Sequence, residues 1–131
     1  MNSQSGMAAL VIIIILSAAS LIIAVSVSSI GIDEALLGYV SQKGDGAFYA
    51  ADGSMEESLR RIRKDANYGV AAGTINLSLG NGSCTIDIVD LGSNQRRVTV
   101  YGSSGSFNKG IETTVSLSAG VLSINEWKEI N

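Results

Sequence analysis

The stretch "SGMAALVIIIILSAASLIIAVSV", residues 5–27, decides how this chain is organised. It belongs to a run from Met7 to Ile32 that contains no Asp, Glu, Lys or Arg. As a helix, that run is about 39 Å long, and a bilayer core requires only about 20 apolar residues. The β-branched residues of 11–15 are typical of strands, but only a helix lets a lone segment in lipid satisfy its own backbone hydrogen bonds. The sequence therefore predicts a transmembrane helix over residues 7–32.

The alternative for this segment is a cleaved secretion signal, which has a basic start, a shorter apolar region and small residues at its exit. The first six residues, MNSQSG, contain no Lys or Arg, and the apolar run continues beyond the small residues Ala18–Ser20. A retained helix is therefore favoured. Because few residues precede it and most of the chain follows Asp33 and Glu34, we expect a cytoplasmic amino terminus and an exported remainder.

Residues 33–68 have the period of an amphipathic helix. Apolar or small residues recur at intervals of three or four, which keeps them on one face of a straight helix. From this stripe we predict the residues that pack against a sheet, which we call the helix-sheet seam: Leu37, Val40, Phe48, Ala51, Met55, Leu59 and Ile62.

Charges and glycines mark the end of this predicted helix. Glu56 with Arg60 and Glu57 with Arg61 are i,i+4 pairs of the favourable orientation. Gly69 is placed to be the C-cap. A break at Gly53 is an alternative, because Ser54 and Glu57 have the spacing of a capping box.

From about residue 74 the period changes to two, which indicates strands. Ile75–Leu79 and Cys84–Ile88 flank a predicted hairpin turn at 80–82, and further alternating runs lie near 98–100, 111–117 and 122–124. Loops are predicted at "LGSNQ", "GSSGSFNKG" and "SAG". Four or five antiparallel strands with one apolar face need a cover, and the preceding helix is the only candidate.

The predicted fold class is therefore α+β: a long amino-terminal helix, half membrane-spanning and half amphipathic, packed on a small antiparallel sheet. The expected segments are a leader at 1–6, a transmembrane helix at 7–32, an amphipathic helix at 33–68 and a sheet domain at 69–131. No linker separates the membrane helix from the rest of the chain.

The composition argues against an enzyme. The chain has no histidine and one cysteine, Cys84, which removes the commonest general base and most zinc sites. We expect Cys84 to be a buried apolar residue. Asp87 and Asp90 lack the spacing of a calcium loop, so no metal and no cofactor is predicted. The net charge of −3 argues against a general affinity for nucleic acid, although "RRIRK" at 60–64 is basic.

Two linked motifs carry a resemblance to a known family. "SGMAALVIIIILSAASLIIAVSV" followed by "AFYAADGSMEESLRRIRKD" resembles the amino-terminal half of proteins in the type IV pilin superfamily. The closest likeness is to PilX-type minor pilins and to the pseudopilins at the tip of type II secretion pseudopili. It covers residues 4–66, about half of the chain.

The resemblance implies a function in filament assembly. A prepilin peptidase would cut between Gly6 and Met7 and methylate the new amine. The helix would be stored in the inner membrane and then packed in a filament core with other pilin or pseudopilin subunits. The residues expected in that core are Leu10, Val11, Ile14, Ala18 and Leu21.

Val11 narrows this expectation to a minor subunit. In most pilins the fifth mature residue is a glutamate, whereas tip-type pseudopilins lack it, as this chain does. The competing interpretation is a single-pass membrane anchor that displays a β domain for binding a surface ligand.

Overall fold

The computed structural model describes residues 3–80 and 82–130, and these form one helix followed by five strands. The predicted α+β fold is confirmed. The elements are α1 Ser3–Lys64, β1 Ile75–Leu79, β2 Gly82–Gly92, β3 Gln95–Ser104, β4 Phe107–Ser118 and β5 Val121–Ile130. Residues 1 and 2 of the predicted leader, and Asn81 of the turn predicted at 80–82, lie outside the described residues.

The five strands form one antiparallel sheet in the order β1-β2-β3-β4-β5. Every strand is paired with the next one in the chain because the connections between them are short. The turn from β2 to β3 shows how: Ser93 and Asn94 both have positive φ, 52° and 60°, as a two-residue turn matched to strand twist requires.

The strands are longer than the alternating pattern predicts. Most of "GSSGSFNKG", predicted as a loop, belongs to β3 and β4, where Ser103 pairs with Asn108 and Gly102 with Lys109. Strand β5 likewise extends beyond Ile124 to Ile130. Glycine, serine and asparagine have low β propensity, but the hydrogen bonds of the neighbouring strand keep them in the sheet.

Helix α1 ends at Lys64, four residues before the predicted end, so Gly69 is not its C-cap. Asp65 provides the reason. Its carbonyl oxygen accepts a hydrogen bond from the Tyr68 N–H, and its Oδ1 accepts one from the Asn67 N–H, both at 3.0 Å. Such local bonds compete with helix continuation.

The alternative of a break at Gly53 is not observed, since α1 is continuous there. A glycine inside a helix costs up to about 1 kcal/mol relative to alanine. The next two residues, Ser54 and Met55, are fully buried, so packing holds the helix through this point.

Two compact units divide the chain between Val40 and Ser41, inside the segment 33–68. The described part of the first unit is helix only. The second unit contains the remainder of α1 and the whole sheet, with a core between them. That core contains Met55 and Ile62 from α1, together with strand residues that include Ile86, Val100 and Ile111.

Candidate functional site

The amino-terminal part of α1 has an exposed apolar surface. The five residues predicted for a filament core all lie on it and are exposed: Leu10, Val11, Ile14, Ala18 and Leu21. By length and composition, this helix could cross a membrane. Gly6 and Met7, the predicted cleavage junction, also lie in α1, and the Met7 side chain is 70% exposed. Such a surface leaves water only when lipid or another protein covers it.

Four serine hydroxyls in this segment are satisfied by the helix itself. Ser17, Ser20, Ser26 and Ser29 each donate from Oγ to the carbonyl oxygen four residues earlier, over distances of 2.7, 2.8, 2.8 and 3.0 Å. An unpaired hydroxyl in an apolar medium costs roughly 2–7 kcal/mol, and these bonds remove that cost. These four serines are therefore compatible with lipid, and their small size allows close helix packing.

In the second unit, α1 approaches the sheet through small residues. Gly102 of β3 lies against the helix backbone: a Cβ added to Gly102 would overlap the carbonyl oxygen of Ala47 and the amide nitrogen of Ala51. The Cys84 thiol, buried as expected, donates to the carbonyl oxygen of Ala50 at 3.0 Å. Larger residues at these positions would push the helix away from β2 and β3.

The residues predicted for the helix-sheet seam divide into three groups. Ala51, Met55 and Ile62 are fully buried. Phe48 and Leu59 are partly buried and pack at the edge of the core.

The prediction for Leu37 and Val40 is wrong, because their side chains are 69% and 39% exposed. Both residues belong to the first unit, whose described residues form only a helix, so no second element covers them. The periodicity identified a helical face correctly but could not indicate where along the helix its cover begins.

Sequence reasoning missed four buried residues on this face: Ala47, Ala50, Ser54 and Ser58. The predicted seam consists mostly of large side chains, with Ala51 as its one small residue, whereas the helix approaches the sheet most closely at small ones. The available signal was the recurrence of Ala and Ser at intervals of three or four. Ser58 donates to the Ser54 carbonyl oxygen at 2.7 Å, while Ser54 Oγ is buried without a partner among the described residues.

The carboxylates considered as calcium ligands have structural partners. Asp87 Oδ1 accepts a hydrogen bond from the Thr74 hydroxyl at 2.8 Å, and Asp90 Oδ1 pairs with Arg96 Nη1 at 2.6 Å. Within residues 3–80 and 82–130, no three Cys, Asp or Glu side chains are grouped so that they could hold a metal ion.

Arg96 is a buried charge that joins three parts of the second unit. The residue is only 7% exposed, and besides Asp90 its guanidinium donates to the carbonyl oxygens of Gln95 at 2.9 Å and Ala66 at 3.4 Å. The last bond ties β3 to the segment that follows α1. This pair was not predictable from the sequence, because neither residue belongs to a recognised motif.

Replacing Asp90 by Ala should destabilise the protein by about 2 kcal/mol, because it leaves a buried guanidinium without its carboxylate. The Asp90 side chain is 44% exposed, which keeps the loss below that of a fully buried pair. Denaturant unfolding of the full chain in detergent measures the change. The control is Asp87→Ala, which removes only an exposed hydrogen bond. Equal losses in the two variants would contradict this account of Arg96.

Glu57 binds two arginines of the basic cluster. Its carboxylate accepts hydrogen bonds from Arg60 Nε and Nη2, both at 2.7 Å, and from Arg61 Nε at 2.6 Å. These bonds, of which those from Arg60 have the largest effect, lower the pKa of Glu57 from 4.5 to about 2. The predicted pair Glu57 with Arg61 is present. Arg60 does not bind its predicted partner Glu56. Two nitrogens of its planar guanidinium bind the Glu57 carboxylate instead.

The lowered pKa of Glu57 predicts a pH dependence. A carboxyl whose pKa is lowered on folding contributes stability that is present above its unfolded pKa, near 4.5, and is lost as the pH falls towards 2. We therefore expect Glu57→Gln to be less stable than the parent at pH 6, with a difference that narrows between pH 4.5 and pH 2. Thermal unfolding of both proteins across this range is the measurement. If the difference in stability between Glu57→Gln and the parent does not change with pH, this prediction is wrong.

Comparisons with protein-family models, with curated proteins and with solved structures find no match to this chain. The fold and the exposed helix therefore define its class: an α+β protein with one amino-terminal helix that could span a membrane.

Proposed function

We propose that this chain is a minor pilin or pseudopilin, a structural subunit in the assembly of a type IV pilus or a type II secretion pseudopilus. The observation that carries the proposal is the exposed, uncharged helical surface over residues 7–32, which continues into a helix packed on an antiparallel sheet. Its amino-terminal motifs supply the resemblance. No enzymatic activity, cofactor or specific nucleic acid is part of this function.

The apolar helix suits a subunit that moves between two environments. As a monomer, it would lie in the inner membrane with the amino terminus in the cytoplasm and the second unit exported. In a filament, the same surface would be buried against the helices of other pilin subunits. Small exposed residues such as Ala8, Ala9 and Ala24 allow close approach of neighbouring backbones.

The test of this function is processing at Gly6. In a host with an active prepilin peptidase, intact-mass analysis of the membrane-extracted protein should show loss of residues 1–6 and a methylated amine on Met7. A Cβ at Gly6 would meet nothing within 4 Å, so Gly6→Leu leaves the chain's own packing intact. We expect the Gly6→Leu variant to remain uncut, because the leucine side chain would obstruct binding of the scissile bond in the peptidase. Retention of residues 1–6 in the parent protein would contradict the proposal.

The second candidate is a single-pass anchor that displays a ligand-binding β domain. Exposed Tyr101 and Val89 on the sheet face away from α1 favour it, because they offer apolar contacts to a ligand. An anchor of this kind keeps its original amino terminus. The same mass measurement therefore separates the two functions.

A further inference from the structure

A groove beside α1 is open on the β5 side of the second unit. Neighbouring strands lie about 4.8 Å apart, so five strands span about 19 Å between the outer axes, whereas one helix is about 10 Å wide. One helix therefore leaves part of this sheet uncovered. The uncovered part contains a groove of about 440 Å³, which is within the size range of pockets that bind small molecules. The groove is lined by Leu59, Arg60, Arg63, Val121 and Leu122.

An apolar strip leads from this groove along β5. Its members, which we call the β5 strip, are Leu122, Ile124 and Trp127, and they pair with Leu117, Val115 and Thr113 of β4. Directly paired residues share a sheet face, and Val115 and Thr113 are fully buried on the face that α1 covers. The β5 strip therefore points to the helix side of the sheet. Even so, Ile124 and Trp127 are 53% and 43% exposed.

The β5 strip has about the length of one lipid acyl chain. Its two ends pair with Leu117 and Thr113, which are four residues apart on β4, or about 14 Å at about 3.4 Å per residue. One leaflet of a bilayer core is about 15 Å thick, half of the whole, and an acyl chain spans it. An extended acyl chain laid along the strip would therefore cover its exposed side chains from one end to the other.

The positive charge of the groove lies at one end of the β5 strip. Arg60 and Arg63 line the groove next to Leu122, and no carboxylate is among the described residues that line it. Arg60 is bound to Glu57, but within residues 3–80 and 82–130 no hydrogen bond or ion pair engages the Arg63 side chain. A guanidinium offers several N–H donors to a phosphate. This end of the groove is therefore suited to an anionic head group.

Glu56 restricts where that head group can lie. It precedes Arg63 by seven residues on the same helical face, which places it about 10 Å closer to the amino-terminal end of α1. Its carboxylate repels an anion, whereas the arginines attract one. The head group is therefore confined to the carboxy-terminal end of α1, and only the apolar chain can follow the β5 strip.

We propose that this groove binds one single-chain anionic lipid, with its phosphate on Arg63 and Arg60 and its acyl chain along the β5 strip. The chain removes exposed apolar side chains from water, and the guanidinium of Arg63 gains a partner. Lipid is the amphiphile that a chain anchored by its membrane-type helix would meet at the highest local concentration. The inference goes beyond the proposed function, because it requires neither cleavage at Gly6 nor another subunit.

Trp127 is the only tryptophan of the chain, so its fluorescence reports directly on the β5 strip. The test uses the full-length protein in a non-ionic detergent. It is titrated with lysophosphatidylglycerol that carries bromine atoms on its acyl chain, because bromine quenches tryptophan only at close contact. We expect quenching that saturates. Brominated monoacylglycerol, which has the same chain without the phosphate, is the control ligand and should quench weakly and without saturation.

Substitutions test the two halves of the site separately. Arg63→Gln should weaken binding of the brominated lysophosphatidylglycerol about two- to fivefold, the range expected for an exposed ion pair. Its matched control is Arg97→Gln, because Arg97 is exposed on the opposite sheet face. Ile124→Asp places a charge in the position of the acyl chain and should abolish the saturable quenching. Ser123→Asp adds the same charge on the opposite sheet face and should not.

Thermal unfolding of each variant verifies that folding is unchanged, which we expect because all four substituted residues are exposed. Four results would overturn the inference: no quenching by brominated lysophosphatidylglycerol, equal quenching by brominated monoacylglycerol, unchanged binding in Arg63→Gln, or saturable quenching that survives Ile124→Asp. Equal quenching by the uncharged lipid would show that Trp127 meets the detergent micelle or any apolar chain. Cleavage at Gly6 is measured separately by intact mass, so the lipid site and the pilin function can each fail alone.

Discussion

Replacing Gly102 by Ala should destabilise the second unit by about 3 kcal/mol or more. The added methyl group would overlap the carbonyl oxygen of Ala47 and the amide nitrogen of Ala51. These are backbone atoms within a continuous helix, so no side-chain rotation can relieve the contact. Overpacked cores usually lose about 1–3 kcal/mol through side-chain and backbone shifts, and a backbone obstacle places this site at or above that range.

The control for Gly102→Ala is the same substitution at Gly44. A Cβ at Gly44 would meet nothing within 4 Å, and Gly44 lies within α1. Alanine favours a helix over glycine by up to about 1 kcal/mol, so Gly44→Ala should stabilise the protein. Denaturant unfolding of the full chain in detergent measures both variants. If Gly102→Ala unfolds at the midpoint of the parent, the close approach of α1 to β3 is not present in solution.

The Gly102 contact also indicates what the sequence alone could predict. The pattern of polar and apolar side chains shows the change from a period near 3.6 to a period of two, so it was sufficient to predict one helix followed by antiparallel strands. The same pattern does not indicate the distance between the helix and the sheet. That distance depends on where large side chains are absent. The close approach of Gly102 to Ala47 and Ala51 can be recognised only after the strand register is known.

Long-range polar pairs lay outside the reach of sequence for the same reason. Asp90 and Arg96 meet because a turn brings the ends of β2 and β3 together. Each residue alone looks like an ordinary surface charge. Local pairs are different, because helix geometry fixes the distance: the spacing of four residues predicted the Glu57–Arg61 contact. The same spacing did not predict the partner of Arg60, which binds Glu57 at a spacing of three in place of Glu56.

The exposure of the first unit marks a limit of what side-chain polarity can predict. Leu37 was expected in the core because its spacing continued the stripe, yet it is exposed together with the whole membrane-type surface. A lone helix cannot bury a face. Burial of these residues requires lipid or another protein, and neither is encoded in the pattern of one chain.

If the proposed function is correct, Val11 should limit the abundance of this chain in a filament. In pilins that this chain resembles, a glutamate at the fifth mature position neutralises the Met7-equivalent amine of a neighbour inside an apolar core. An unpaired charge there costs several kcal/mol. Val11 offers no carboxylate, so a filament built from this chain alone would repeat that cost at every step. A subunit placed once or a few times, near the tip, would avoid most of it.

We therefore expect Val11→Glu to raise the share of this chain in purified filaments several-fold, because each added copy then brings a carboxylate for the neighbouring amine. Quantitative mass spectrometry relative to the major subunit is the measurement. Val11→Gln is the matched control: it has nearly the shape of glutamate but no charge, so it should leave the share low. The opposite result is equally clear. If the parent chain with Val11 is already the dominant protein along the shaft, another group must accept the amine, and the assignment to a minor subunit fails.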